Sequence, residues 1–500
     1  MKIHVVQPGQ EFHVEGERCL VVPMFQDMNT VPTSILSSED EALISGLRKR
    51  SILTAKAGET YYIRTENRAY EGILVVGLGK RDDFEPETLR RAAGSACRSL
   101  QTNRVTAVVL DAAPYTDLPI EAFVEGLALS QYQFQPYKNP PKDGPEPTQI
   151  ENLTCIISSE SAVDAAKARC DAAAIVCGHA NWARDLAHQP ANHLTPGSLA
   201  QRAGEMAAAV GLEYEHLDAE RMAELGMNAL LAVGKGSAEP PSFIILRYRY
   251  DVKAPTLGLV GKGITFDTGG ISIKPSDGLH EMKYDMCGAA AVLGAMAAIA
   301  ELKPSINVTA FVPAAENVPG SRAQKPGDIV RAYNGKTIEV NNTDAEGRLI
   351  LADALAYMVD TEKPARIVDL ATLTGACIVA LGHQAAALLS TDDELANHIE
   401  ESANRTAERV WRLPLWADYD KLIEGTHADL CNIGPAREAG TIVGGSFLKA
   451  FVGDTPWAHL DIAGAAWGVK NVPYWSEKYA TGYGVRLMVD WVRREAERNG

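Results

Sequence analysis

Two acids and a guanidinium sit close together in Val340-Asn341-Asn342-Thr343-Asp344-Ala345-Glu346-Gly347-Arg348-Leu349. Residues i and i+2 of an extended segment share a face, so Asp344, Glu346 and Arg348 are expected to face one pocket. Such a trio suits a hard divalent cation with an anion beside it; taken alone, it also fits a surface ion pair. Upstream, Leu257–Pro275 begins as a buried strand and turns glycine-rich, with Lys262 and Lys274 bracketing Asp267. The next stretch, Glu281–Ala290, puts Asp285 at the start of a small-residue helix, where a carboxylate is favoured as an N-terminal cap. Capping alone does not explain four acids (Asp267, Asp285, Asp344, Glu346) and two lysines beside glycine-rich loops.

Other motifs fail on inspection. Gly77-Leu78-Gly79 follows a strand, but Asp82 stands where a dinucleotide fingerprint needs glycine. Gly261-Lys262 lacks the Ser/Thr that completes a phosphate-cradling loop, and His280-Glu281 opens a zinc-helix motif that breaks at Tyr284. None of the 11 histidines falls within Lys262–Lys274 or Asp344–Arg348, so those stretches offer no obvious protein base.

The elements that must position these residues follow an α/β rhythm. Strands are expected at Ile3–Val6, Cys19–Met24, Ile73–Val76, Val105–Leu110 and Leu153–Ile157, with helices at Ser38–Lys49, Pro86–Leu100 and Ile120–Leu129 between them. The proline-rich Gln135–Pro145 reads as an exposed connection. A helix at about 161–188 links to a second α/β pattern, broken by Pro190 and Pro196. There, strands are expected at Phe243–Leu246, Leu257–Val260, Asn307–Val312, Ile367–Leu370, Ala386–Leu389 and His459–Ile462. Helices fall at Pro196–Val210, Cys287–Ala300, Arg348–Val359, Glu394–Val410 and Tyr483–Arg498. The expected fold is therefore α/β in two domains. Residues 1–165 form a smaller N-terminal domain, and residues 166–500 a larger C-terminal domain with a mixed central sheet flanked by helices.

Composition limits the partners. A net charge of −16, from 48 Lys+Arg against 64 Asp+Glu, disfavours nonspecific binding to nucleic acid or anionic membranes. The eight cysteines are scattered without a CxxC pair and are expected as small buried hydrophobes in a reducing compartment. Met1–Val6 runs directly into a strand-like segment with no signal peptide or membrane-length run after it, so the cytoplasm is the expected location.

Asn341–Leu349, together with Gly261–Pro275, Glu281–Ala290 and Thr372-Leu373-Thr374-Gly375-Ala376, resembles the leucyl aminopeptidase family of dinuclear metallo-exopeptidases. The likeness covers about residues 180 to 490, with Ala183–Pro196 and His459–Gly464 as further similar segments, and NTDAEGR is its most specific motif. The resemblance implies a metal-dependent aminopeptidase that releases N-terminal residues, preferably Leu and other apolar ones, using a water activated by two metals. Asp267 and Glu346 would bridge two divalent ions, Mn²⁺ or Zn²⁺. Lys262 and Asp285 would complete the tighter site, and Asp344 the more exchangeable one. An oxygen-rich set with one amine and no Cys or His suits Mn²⁺ better than a structural zinc site. Lys274 and Arg348 would be catalytic, Lys274 at the oxyanion and Arg348 holding bicarbonate as the general base. Met282, Thr372, Leu373, Gly375 and Ala463 would bind the substrate's first side chain. Ala466 stands where some members carry a bulkier residue, and Thr268 where the family usually has Ser. The resemblance also implies a homohexamer acting on peptides.

A second reading, DNA binding as in some bacterial relatives, needs a basic stripe. The sequence offers only short clusters such as Arg48-Lys49-Arg50 and Arg90-Arg91. A two-metal phosphoesterase would share the carboxylates but lacks a phosphate-cradling loop, and an inactive scaffold would not need every expected site residue.

Overall fold

Strands alternating with helices fold here as two α/β units, seen in a computed structural model that describes residues 1–10, 16–28, 30–65, 70–115, 118–139 and 148–499. One unit comprises Met1–Gly178 with Asn471–Ser476; the other comprises His179–Lys470 with Glu477–Gly500. The division falls inside the helix Val163–His188. Of the proline-rich stretch expected as an exposed connection, residues 140–145 lie outside the described residues.

In the first unit, Lys2–Val6, Asn152–Ile156, Ala107–Asp111, Arg18–Met24 and Gly72–Gly77 pair in parallel in that order. Thr60–Arg64 closes one edge as an antiparallel strand. The expected strands and helices all form, and Thr60–Arg64 is an addition to them. Local chemistry sets the helix ends: Ser37 accepts from the Asp40 N–H at the start of Ser38–Lys49. One arginine of each basic cluster is turned inward. The Arg48 guanidinium donates to the Leu53, Thr54 and Gln26 carbonyls. Arg90 is buried and pairs with Glu87 at 2.7 Å and Glu125 at 2.5 Å. Neither is free to track a phosphate backbone.

The larger unit is built on four neighbouring parallel strands, Trp457–Asp461, Arg366–Ala371, Thr256–Gly261 and Asn307–Asn317. Antiparallel strands flank them, Ala386–Ser390 on one side and Ser242–Tyr248 on the other. The sheet is therefore mixed, and its parallel centre delivers four carboxyl ends to one edge, where open α/β sheets place their sites. The apolar face of the helix Gly347–Thr361, from Leu349 to Met358, packs with Val260, Phe311, Ile367 and Trp457 of those strands. The helix Cys287–Leu302 is buried almost throughout. With the preceding 3-10 turn, Leu279–Leu302 is long and apolar enough to cross a membrane, but 89% of its apolar window lies inside the fold. All eight cysteines are free and buried, as expected for small core hydrophobes.

The start of the Cys287 helix lies so close to the sheet that only glycine fits. A Cβ on Gly288 would stand 2.1 Å from the Leu370 carbonyl oxygen, a backbone atom that cannot step aside. Next to it, the Ala289 N–H bonds the Lys262 carbonyl at 2.8 Å, so this contact also fixes Lys262. Gly288→Ala is expected to destabilise the protein by ~1–3 kcal/mol or more through overpacking. Urea unfolding checks this; an unchanged midpoint contradicts it.

Candidate active site

The acids and lysines singled out in the sequence come from three places. Lys262 and Asp267 come from strands of the central sheet, with Lys274 in the loop after them, and Asp285 from the 3-10 turn Leu279–Met286. Asp344 and Glu346 come from the loop after Thr337–Val340, a strand of a separate small sheet. Lys262 follows the strand Thr256–Gly261, and its N–H donates to the Leu370 carbonyl at 3.0 Å. The chain then pairs again as Gly263–Asp267 against the end of Asn307–Asn317, with Asp267 opposite Asn317. Gly269, at φ +85°, turns the backbone toward the acids; a Cβ there would lie 2.8 Å from Asp344 Oδ1. Thr372–Gly375 and Ala463 leave the next two parallel strands.

A cavity of about 400 Å³ collects these residues. It is lined by Lys262, Asp267, Lys274, Met282, Asp285, Asp344, Glu346, Thr372, Leu373, Gly375 and Ala463, with Thr374, Ile378 and Trp467 among the rest. Arg348 is not on that wall. Buried on the helix Gly347–Thr361, it lines a neighbouring cavity of about 800 Å³ with Asn342 and Ala376, and its Nη1 donates to the Asn432 carbonyl at 2.7 Å. The extended i, i+2 geometry expected for Asp344 and Glu346 is also absent. Residues 341–346 form a turned loop, and Glu346 has helical angles (φ −78°, ψ −36°). The carboxylates converge nonetheless, because the loop curls and does not extend.

Asp285 is not a helix cap, the alternative its position also allowed. The helix Cys287–Leu302 has no side-chain N-cap, and Asp285 closes the preceding 3-10 turn Leu279–Met286. Its Oδ1 accepts from Lys262 Nζ at 2.8 Å and from Thr372 Oγ1 at 2.7 Å. Lys262 Nζ also lies 2.9 Å from Glu346 Oε1 and donates to the Thr372 carbonyl at 2.8 Å. Lys274 Nζ pairs with Asp267 Oδ2 at 2.8 Å and with Asp344.

The electrostatics follow from four carboxylates facing two ammoniums in a mostly buried space. Burial alone would depress the Lys262 pKa, but Asp285, Glu346 and Asp267 outweigh it and hold the ammonium well above its ordinary range. Lys274 is raised in the same way, with Asp267, Glu346 and Asp344 overcoming burial. Burial and the Glu346 charge push Asp267 up to about 6. Asp285 is raised further by burial, and Asp344 is raised too. For Glu346 burial acts upward, but Lys262 and Lys274 prevail and hold it below its ordinary value.

Several positioning groups are not among the site residues singled out in the sequence. Asn317 Nδ2 donates to Asp267 Oδ1 at 2.8 Å and to the Thr343 carbonyl at 2.9 Å, tying two acid-bearing loops together. Thr343 Oγ1 donates to the Gly269 carbonyl at 2.6 Å. Buried Asp461 accepts from Leu373 N–H at 3.1 Å and from Thr374 Oγ1 at 2.6 Å, fixing one cavity wall. Trp467, stacked on Tyr284 at 5.5 Å, lines the cavity where the sequence directs attention to Ala466. Ala466 instead borders a small separate void with Cys287.

The catalytic-domain model of the cytosol aminopeptidase family matches residues 181–489, and that family's N-terminal-domain model matches residues 21–141. The chain belongs to the cytosol aminopeptidase family. A probable cytosol aminopeptidase of Geobacter sp. (strain M21) is 45% identical over 484 residues, covering 95% of this chain and 96% of the relative. One of Solibacter usitatus is 48% identical over 428 residues, covering 84% and 87%. Among solved structures, the bottromycin maturation enzyme BotP in complex with Mn is similar with a TM-score of 0.83 at 31% identity, covering 96% of this chain and 100% of that one. As a cytosol aminopeptidase family member the protein is a hydrolase, a metal-dependent aminopeptidase. The resemblance first carried by the Asn341–Leu349 motif therefore holds along most of the chain.

The site's own chemistry fits divalent cations. Asp267, Asp344 and Glu346 each offer a carboxylate oxygen within 4.8 Å of the others. Asp285 Oδ2 and Glu346 Oε2 are buried without a hydrogen-bond partner, a costly arrangement for an anion unless a cation satisfies it. A donor set of carboxylates with one amine suits Mn²⁺ or similar ions.

Proposed function

We propose that this aminopeptidase removes N-terminal Leu and other apolar residues from peptides, with two divalent ions held by Lys262, Asp267, Asp285, Asp344 and Glu346. The observation that carries the reading is one cavity with four acids and two lysines at one end and apolar walls at the other. Asp267 and Glu346 would bridge the ions, Lys262 and Asp285 would complete one site, and Asp344 the other. When bound, Mn²⁺ or Zn²⁺ would supply Lewis acidity toward the scissile carbonyl and toward the attacking water, and would also offer a place for the substrate's free N-terminal amine, which selects exopeptidase substrates without a lid.

The chain's own residues do the rest. Met282, Thr372, Leu373, Gly375 and Ala463, with Ile378 and Trp467, enclose the first side chain. Lys274 stabilises the oxyanion of the tetrahedral intermediate with a preorganised ammonium. The planar fork of Arg348, facing the adjoining cavity, suits a bicarbonate that accepts the proton of the attacking water. A leucyl peptide should be shortened by one residue, whereas its N-acetylated form should be untouched. Comparable cleavage of both overturns the exopeptidase assignment.

A pH dependence follows from Lys262. Its acid neighbours hold its pKa up, so it carries its proton at neutral pH, whereas a metal-ligating amine must be neutral. Binding therefore expels a proton, and affinity strengthens as pH rises. Calorimetric Mn²⁺ titrations in buffers of different ionisation enthalpy should report net proton release; release of none contradicts ligation by Lys262. The family resemblance also supports a cytoplasmic homohexamer, which a monomer at micromolar concentration in sedimentation would contradict.

A further inference from the structure

We propose that Asn432 is a positioning residue for the aminopeptidase reaction: its side chain is the template on which the acid-bearing loop 341–346 is wound, and its carbonyl sets Arg348. The inference rests on the functional reading above and adds a residue that the sequence gives no reason to select.

The register of a small sheet brings Asn432 to the loop. The strand Leu430–Cys431 pairs in parallel with Thr337–Val340, Cys431 opposite Glu339, and the Asn432 N–H donates to the Glu339 carbonyl at 2.9 Å. Asn432 thus lies, fully buried, beside the point where Thr337–Val340 gives way to the loop. Its Oδ1 accepts from the Asn341 N–H at 2.9 Å and the Asn342 N–H at 3.3 Å. Its Nδ2 donates to the Asn342 carbonyl at 2.6 Å and to the Ala345 carbonyl at 3.5 Å. The side chain therefore grips the backbone before Asp344 and again between Asp344 and Glu346. Its own carbonyl accepts from Arg348 Nη1 at 2.7 Å. One residue holds both the loop that carries Asp344 and Glu346 and the guanidinium of the adjoining cavity.

Only a carboxamide of this length presents an acceptor and two donors from one plane. A carboxylate keeps the acceptor but turns an oxygen against the Asn342 and Ala345 carbonyls, adding negative charge beside the acid loop. Asn432 touches neither substrate nor reacting atoms; its effect passes through Asp344, Glu346 and Arg348.

Asn432→Asp and Asn432→Ser in the full chain test this, by steady-state hydrolysis of leucine p-nitroanilide with Mn²⁺, Mn²⁺ titration calorimetry and thermal unfolding. Both should lower kcat and weaken Mn²⁺ binding by roughly 10- to 100-fold, as loss of a ligand-orienting group does. KM should stay within about threefold, since the pocket walls are untouched. If the aspartate variant does not fold, the serine variant decides alone. Variants with native kcat and Mn²⁺ affinity, whatever their melting temperature, overturn the assignment. An inactive wild type with Mn²⁺ would instead sink the functional reading, so the two failures are distinguishable.

Discussion

Glu346→Ala is expected to abolish peptide hydrolysis, lowering kcat/KM by roughly 10³-fold or more, as removal of one member of a catalytic unit does. On the proposed assignment Glu346 serves both ions. Its Oε1 faces Lys262 at 2.9 Å, and its Oε2 is buried with no hydrogen-bond partner. Removing it withdraws charge from the centre of the cluster and leaves Lys262 with Asp285 as its ion-pair partner and the Thr372 carbonyl as acceptor. Asp267→Ala should behave alike, since Asp267 is the other carboxylate proposed to hold both ions; it pairs with Lys274 at 2.8 Å and is fixed by Asn317 at 2.8 Å. The check pairs kinetics with metal analysis of the purified variants: activity should vanish together with bound metal. A Glu346→Ala protein that retains two ions and native turnover removes Glu346 from the site.

Lys274→Ala should give the opposite combination, a loss of roughly 10²–10³ in kcat with both ions retained. That loss matches removal of one preorganised group at an oxyanion. Lys274 pairs with Asp267 at 2.8 Å and with Asp344. Deleting its ammonium relieves competition for those carboxylates, so cation binding should hold or tighten while turnover slows. Metal analysis beside single-turnover kinetics separates the outcomes. Loss of both ions in this variant would make Lys274 a ligand and its catalytic assignment wrong.

Much of this architecture can be read from the chain where local chemistry and burial agree. Pro196–Val210 has Thr195 accepting from the Ser198 N–H at its start and Gly211, left-handed, at its end. Its limits are therefore legible in sequence. The parallel strands read as apolar runs because both of their faces are buried. The elements missed are those whose stability is set elsewhere. Glu213–Leu217 is an edge strand with four exposed residues and little apolar pattern. Gly263–Asp267 hides in a glycine-rich stretch, and Asn307–Asn317 continues through Pro313 because its pairing with Ser242–Tyr248 persists there.

At the site, the acids and lysines were legible because they lie in segments that resemble the family's motifs, NTDAEGR above all; taken alone, Asp344, Glu346 and Arg348 also fit a surface ion pair. The groups that support them were not legible. Asn317 and Asn432 look like ordinary polar residues until the sheet register brings them against Asp267 and the 341–346 loop. The convergence of Asp344 with Glu346 depends on a turn that their two-residue spacing does not specify. The placement of Arg348 in a second cavity is a tertiary fact, set by the helix on which it lies.

On the proposed function, the acid cluster works as a metal centre for aminopeptidase chemistry. Hydrolysis of leucine p-nitroanilide by purified protein, measured after chelation and again with Mn²⁺ or Zn²⁺ restored, tests it most directly. Activity should disappear with the metal and return as two ions bind per chain. Hydrolysis that survives complete chelation, or folded protein inactive with either metal, would contradict the account.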